Sequence, residues 1–142
     1  MSGPGGEQVW AGLETSAVPA ALSALAGVYT VAMSRPVTTV RVWLDSVDWR
    51  LYRKGLALTA TAAADGDEGT LELTYADGAT VTAGPDTLGW PRLLAGLPEQ
   101  LRPCLEPVLG VRALLPVVQA SGTTVTGRLL DVEDKTVLRL VH

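Results

Sequence analysis

The chain has 142 residues and a formal net charge of −4, the size of one domain able to bury roughly two thirds of its unfolded surface. The acidic balance excludes a nonspecific nucleic-acid or polyanion binder, which needs an excess of Lys and Arg. A single cysteine, Cys104, and a single histidine, His142, exclude an internal disulfide, a Cys/His zinc cluster and a histidine-activated hydrolase.

No apolar run reaches the length of a membrane span, and residues 1–6 show no basic segment ahead of a hydrophobic one. The expected address is therefore the cytoplasm, without membrane or nucleic-acid partners. Residues 1–6, rich in Gly and Pro, read as a flexible start, and residues 7–142 as one domain. A strand is expected over residues 7–13, then a helix over 18–26 with Thr15 or Ser16 as its cap, Pro19 in its first turn and Gly27 after its end. Residues 28–33 are β-rich. Over residues 38–45, Val40, Val42 and Leu44 share one face, while Arg41, Trp43 and Asp45 share the other.

Residues 47–52 predict a turn or a single helical turn, and 55–61 the next strand. The acidic link 65–69 leads to a strand over 70–75, and Asp77-Gly78 signals a hairpin into residues 80–82. From 88 to 109 the spacing becomes helical, with prolines at 91, 98, 103 and 107, so two short helices are expected there. Strands over 111–120, 123–130 and 136–141 close the pattern, with a turn at 131–134. Antiparallel strands interrupted by helical insertions predict an α+β fold, an antiparallel, curved or barrel-like sheet with short helices.

The run Trp43-Leu44-Asp45-Ser46-Val47-Asp48-Trp49-Arg50-Leu51-Tyr52-Arg53-Lys54-Gly55 resembles a signature of CYTH domains, the triphosphate tunnel metalloenzymes. In that family an aromatic strand ends in Asp-Ser/Thr, and a second acid, an Arg-Leu-x-Arg segment and Gly follow. The resemblance extends more weakly from Glu7 to His142, and its tail is similar to the CYTH domains that precede CHAD domains in bacterial proteins. It implies a partial triphosphate-tunnel sheet. It also implies anion-binding candidates at Arg41, Arg112, Arg128 and Arg139 and one weak metal candidate, Glu7.

The departures from the family pattern are chemical. The opening Glu-x-Glu-x-Lys strand keeps only Glu7, and the alternating arginines after Gly55 are replaced by Thr59 and Thr61. Metal-assisted attack on a triphosphate needs several carboxylates and a basic lining. The expectation is a noncatalytic CYTH-like interaction or regulatory module linked to polyphosphate-associated CYTH–CHAD proteins, with no catalytic residues and no cofactor. One alternative is a weakly active triphosphate or polyphosphate hydrolase using Mg or Mn; another is a small-ligand-binding barrel. The family's closing acidic strands do not follow residue 141, so the last strand is expected to be an edge, open to self-association or to cover by a CHAD domain.

Plainer roles stand beside these. Arg41 suits a rim ion pair with a same-face acid. Asp45 and Asp48 suit capping of backbone amides rather than a metal pair. Arg50, Arg53 and Lys54 suit a solvated turn. Trp10, Trp43, Trp49 and Trp90 suit core or rim packing, Cys104 suits burial beside Leu101 and Leu105, and His142 suits no catalytic role.

Overall fold

The computed structural model describes residues 16–141; the expected strand over 7–13, with Glu7 and Trp10, lies outside the described residues, as do Thr15 and His142. In chain order the elements are α1 (Ala17–Leu25), β1 (Thr30–Met33), β2 (Val37–Asp45), α2 (Arg50–Arg53), β3 (Ala57–Ala63), β4 (Glu68–Thr74), β5 (Thr80–Thr87), a 3-10 turn (Leu94–Gly96), α3 (Arg102–Leu109), β6 (Leu115–Thr124), β7 (Thr126–Leu130) and β8 (Thr136–Val141). The fold is α+β with two antiparallel sheets. The described residues fall into two compact units, one spanning Val37–Thr124 and the other combining the segments before and after it.

The larger unit is an open five-stranded sheet in the order β5-β4-β3-β2-β6. Its strand alternation builds two apolar rows on one face, Leu44-Leu58-Leu73-Val81 and Val42-Ala60-Leu71-Ala83, each running across neighbouring strands in register. Leu97, Leu101, Leu105, Leu109 and Leu114 complete the core against these rows. α3 contributes two of them, Leu105 and Leu109, four residues apart on one helical face. The opposite face carries Trp43, Thr59, Glu72 and Thr82 in one row, and Arg41, Thr61 and Thr70 in the next. Gly69 belongs at the bulge between β4 and β5: a Cβ there would lie 2.5 Å from the Thr61 carbonyl oxygen and 2.8 Å from Leu88.

The smaller unit is a three-stranded sheet in the order β1-β7-β8, with α1 packed against it. Leu22 is the buried residue of α1, and it reaches the sheet because Gly127 has no side chain. A Cβ at that position would lie 3.1 Å from Leu22 Cδ1. Ser16 stands at the helix N-cap without a side-chain hydrogen bond, so the capping expected of it is not made.

Three expectations change. The first of the two short helices is only the 3-10 turn, because Pro91 and Pro98 bracket too few residues for a helix between them. Ser121-Gly122, which interrupts the sequence pattern, stays within β6, held by pairing with Val40 and Thr39. The strands close no barrel among the described residues. β5 and β6 end the five-stranded sheet without pairing to each other, and β1, β7 and β8 form a sheet of their own.

Leu105 has no exposed surface, whereas Leu93 is 57% exposed. Leu105→Ala is expected to lower unfolding free energy by about 2–5 kcal/mol, and Leu93→Ala by less than about 0.5 kcal/mol. Urea titration of both variants measures the difference.

Candidate functional site

The segment after β2 turns on one carboxylate. Asp45 is 3% exposed, and its side chain accepts three backbone N–H groups: Oδ1 takes Ser46 at 2.7 Å and Leu51 at 2.9 Å, and Oδ2 takes Tyr52 at 3.0 Å. The Ser46 hydroxyl accepts the Arg50 N–H at 3.1 Å. The amides of Arg50, Leu51 and Tyr52, which open the single-turn helix α2 and have no partner within it, are thus satisfied by the Asp-Ser pair. At the other end Gly55, at φ 68°, closes the turn. Its N–H donates to the Tyr52 carbonyl and that of Leu56 to the Leu51 carbonyl, the paired bonds of a Schellman motif.

Between cap and helix stands Trp49 in the left-handed region, φ 57° and ψ 44°, a conformation that costs a bulky residue about 1–3 kcal/mol. It reverses the chain tightly enough for Leu51 to enter the core at 1% exposure. Trp49 is left 48% exposed, and its ring meets Tyr52 edge-on at 6.2 Å. Of the core or rim packing expected of this tryptophan, it makes the rim contact and not the core one. Trp43 and Trp90 are half-buried, Trp90 with Arg92 over its ring at 5.3 Å.

Arg50 is not the solvated residue of the expected basic turn. Its Nε donates to Asp48 Oδ2 at 3.0 Å, and its Nη1 reaches the Val108 and Leu109 carbonyls at 3.5 and 3.2 Å. It thereby ties the turn to the C-terminal end of α3, where a cation is favourable. Arg53 and Lys54 are exposed as expected. The hydrogen bond from Arg50, with a smaller one from Ser46, holds the Asp48 carboxyl down at about 2, from an ordinary 3.8.

The four anion-binding candidates are distributed over both units. Arg41 is exposed on β2 and donates from Nε to Thr61 Oγ1 at 3.3 Å. The rim ion pair with Asp45 does not form, because the amides claim that carboxylate. Arg112 follows α3 with Nε 3.7 Å from Asp48 Oδ2. In the smaller unit Arg128 and Arg139 are directly opposite across β7 and β8, both exposed. Neither has a carboxylate within ion-pair distance among the described residues. Of the four, only this pair is brought together as neighbours in register.

The described acids do not fit a divalent-metal centre. Asp45 spends its oxygens on amides, and Asp48 faces Arg50 and Arg112. Asp48 Oδ1 is buried without a hydrogen-bond partner among the described residues, but it is one oxygen where several are needed. Glu7 lies outside the described residues.

No family model, curated protein or solved structure matches the chain. Among the described residues no helix is long and apolar enough to cross a membrane.

Asp45→Ala strips the acceptor from three amides and is expected to destabilise by about 3 kcal/mol or more. The depressed Asp48 contributes stability that is complete above pH 3.8 and is lost as pH falls toward about 2. Asp48→Asn should therefore lower stability at neutral pH and flatten its decline across that acid window. Urea titrations between neutral pH and pH 2 compare the two slopes.

Proposed function

We propose that this chain is a noncatalytic CYTH-like domain working as an interaction or regulatory module. The observation that carries the reading is the use to which the motif's acids are put. A carboxylate whose oxygens accept three amides, beside one paired with arginine, builds a turn rather than a metal site. Edge chemistry supports the interaction half. Among the described residues β8 bonds to β7 on one side only, and it exposes Val137, Leu138 and Val141 at 51%, 45% and 66%. A strand edge with apolar side chains and a single charge, Arg139, is a template for further strand addition. The occupant of that edge is a second copy of the chain, in a two-fold pairing, or a CHAD domain in trans.

The opposed Arg128 and Arg139 favour a second reading, in which the smaller unit binds a phosphate chain and the protein is a weak Mg- or Mn-dependent hydrolase. Like charges placed directly opposite on adjacent strands destabilise a sheet by a few tenths of a kcal/mol to about 1 kcal/mol, and an oxyanion would relieve that repulsion.

On the first reading, neither nucleoside triphosphates nor tripolyphosphate release phosphate when Mg or Mn is added. The mass measured by light scattering rises with concentration over the micromolar range, and Val137→Lys holds it at the monomer value. Metal-dependent turnover abolished by Glu7→Ala, or tight tripolyphosphate binding at physiological salt that Arg128→Ala removes, establishes the second reading instead. A mass fixed at the monomer value removes the strand-edge interface.

A further inference from the structure

The exposed surface of the Asp45–Gly55 turn has a composition that a solvated turn does not need. Val47 is 70% exposed, Trp49 48% and Tyr52 75%, and Val111 beside Arg112 is 91% exposed. Arg112 leans on Asp48 and Arg50 bonds the carbonyl of Leu109, so the loop carrying Val111 abuts the turn carrying the two aromatics. The turn and the loop after α3 carry Arg50, Arg53, Lys54 and Arg112, four cations against the carboxylates of Asp45 and Asp48, with the Ala76-Asp77 hairpin meeting the turn at Gly55, in a chain of net charge −4. Asp45 is buried and Asp48 is engaged by Arg50. Arg53 and Lys54 have no ion-pair partner among the described residues.

We infer that this surface docks an acidic segment of another protein, with Trp49 and Tyr52 as apolar anchors and Arg53, Lys54 and Arg112 as the charges that select it. The inference rests on the interaction-module reading and names a surface and a partner class for it. Three observations converge. Tryptophan, tyrosine and arginine are the residues that dominate binding energy when they sit together at an interface centre. The backbone beneath them is fixed by the buried carboxylate of Asp45, so little ordering remains to be done on binding. The left-handed Trp49 leaves its own ring outside while Leu51 enters the core, a strained arrangement of the kind that gathers at functional positions.

The charge complement specifies acidity, since a local basic patch on an acidic chain steers anionic partners to that patch. The aromatic pair and the two exposed valines specify a protein segment. They offer nothing to an inorganic phosphate chain, whereas a peptide carrying Asp or Glu around an apolar side chain engages both halves.

The test selects a random peptide display library on the full chain and measures the affinity of enriched synthetic peptides by fluorescence anisotropy. Acidic sequences with at least one large apolar residue are expected, with affinity falling as salt is raised. Trp49→Asn retains a residue that tolerates the left-handed backbone, and the double variant Arg53→Glu/Lys54→Glu reverses charges on exposed side chains. Each should weaken binding about tenfold or more while circular dichroism and melting temperature stay near those of the parent. Arg35→Glu, an exposed charge reversal in the other unit, should leave it unchanged. The inference is overturned if no acidic peptide is enriched, if binding ignores both sets of substitutions, or if the turn captures only tripolyphosphate or phosphatidylserine vesicles. A chain that releases no phosphate from triphosphates, self-associates through β8 and yet binds its peptides independently of Trp49 keeps the module reading and loses this surface.

Discussion

The larger unit depends on one buried carboxylate. Taking an ionised side chain out of water costs several kcal/mol, and the left-handed Trp49 adds about 1–3 kcal/mol. Three amide donors replace the water that the Asp45 carboxylate gives up. The consequences run outward from there. With its first amides held by Asp45 and Ser46, a helix of one turn, too short to persist alone, keeps a fixed direction. That direction sends Leu51 into the core, turns Arg50 toward the carbonyls of α3, and leaves the rings of Trp49 and Tyr52 in solvent.

The same turn connects two layers of the unit. β2 delivers Leu44 to the apolar rows of the sheet, and α3 covers those rows through Leu105 and Leu109. Arg50, bonded to Asp48 on one side and to the end of α3 on the other, ties sheet to helix with polar contacts at the rim of the core. A deletion that severed this link would loosen α3 without touching a buried apolar contact. Such effects are invisible to a hydrophobic pattern, since they live in backbone carbonyls that every sequence has.

Strand positions were legible where alternation was strict. Val42 and Leu44 are on the covered face of β2, as the pattern requires, and Asp77-Gly78 does connect β4 to β5. The helix over residues 18–26 is found within one residue as α1. The capping role of Asp45 was legible too, because a short acid in a turn commonly holds backbone amides; Asp48, expected to cap as well, pairs with Arg50 and Arg112 instead. What stayed hidden was the target of each bond. Asp45 caps residues six and seven positions on, beyond the spacing of an ordinary N-cap, because the left-handed residue between them folds the chain back. Arg50 reaches residues 58 and 59 positions away in sequence, a pairing that only the packed helix creates. The single sheet anticipated from the strand count became two because no local signal states which strands will be neighbours.

A signature that is architectural carries less functional information than its specificity suggests. In this chain the Asp-Ser pair, Leu51 and Gly55 each have a structural duty: acceptors for orphan amides, a core contact and a helix stop. Any chain that needs this turn meets those demands, whatever it binds. Those positions therefore speak to how the strand is left and not to what is bound, and fold-level likeness does not fix chemistry. The positions the turn leaves undetermined are those that point away from it, Val47, Trp49, Tyr52, Arg53 and Lys54. Nothing in the core constrains their identity, and a polar residue at Val47 or Tyr52 would serve solubility better than what is there. Function in this unit is for that reason better sought in what the turn presents than in what it buries.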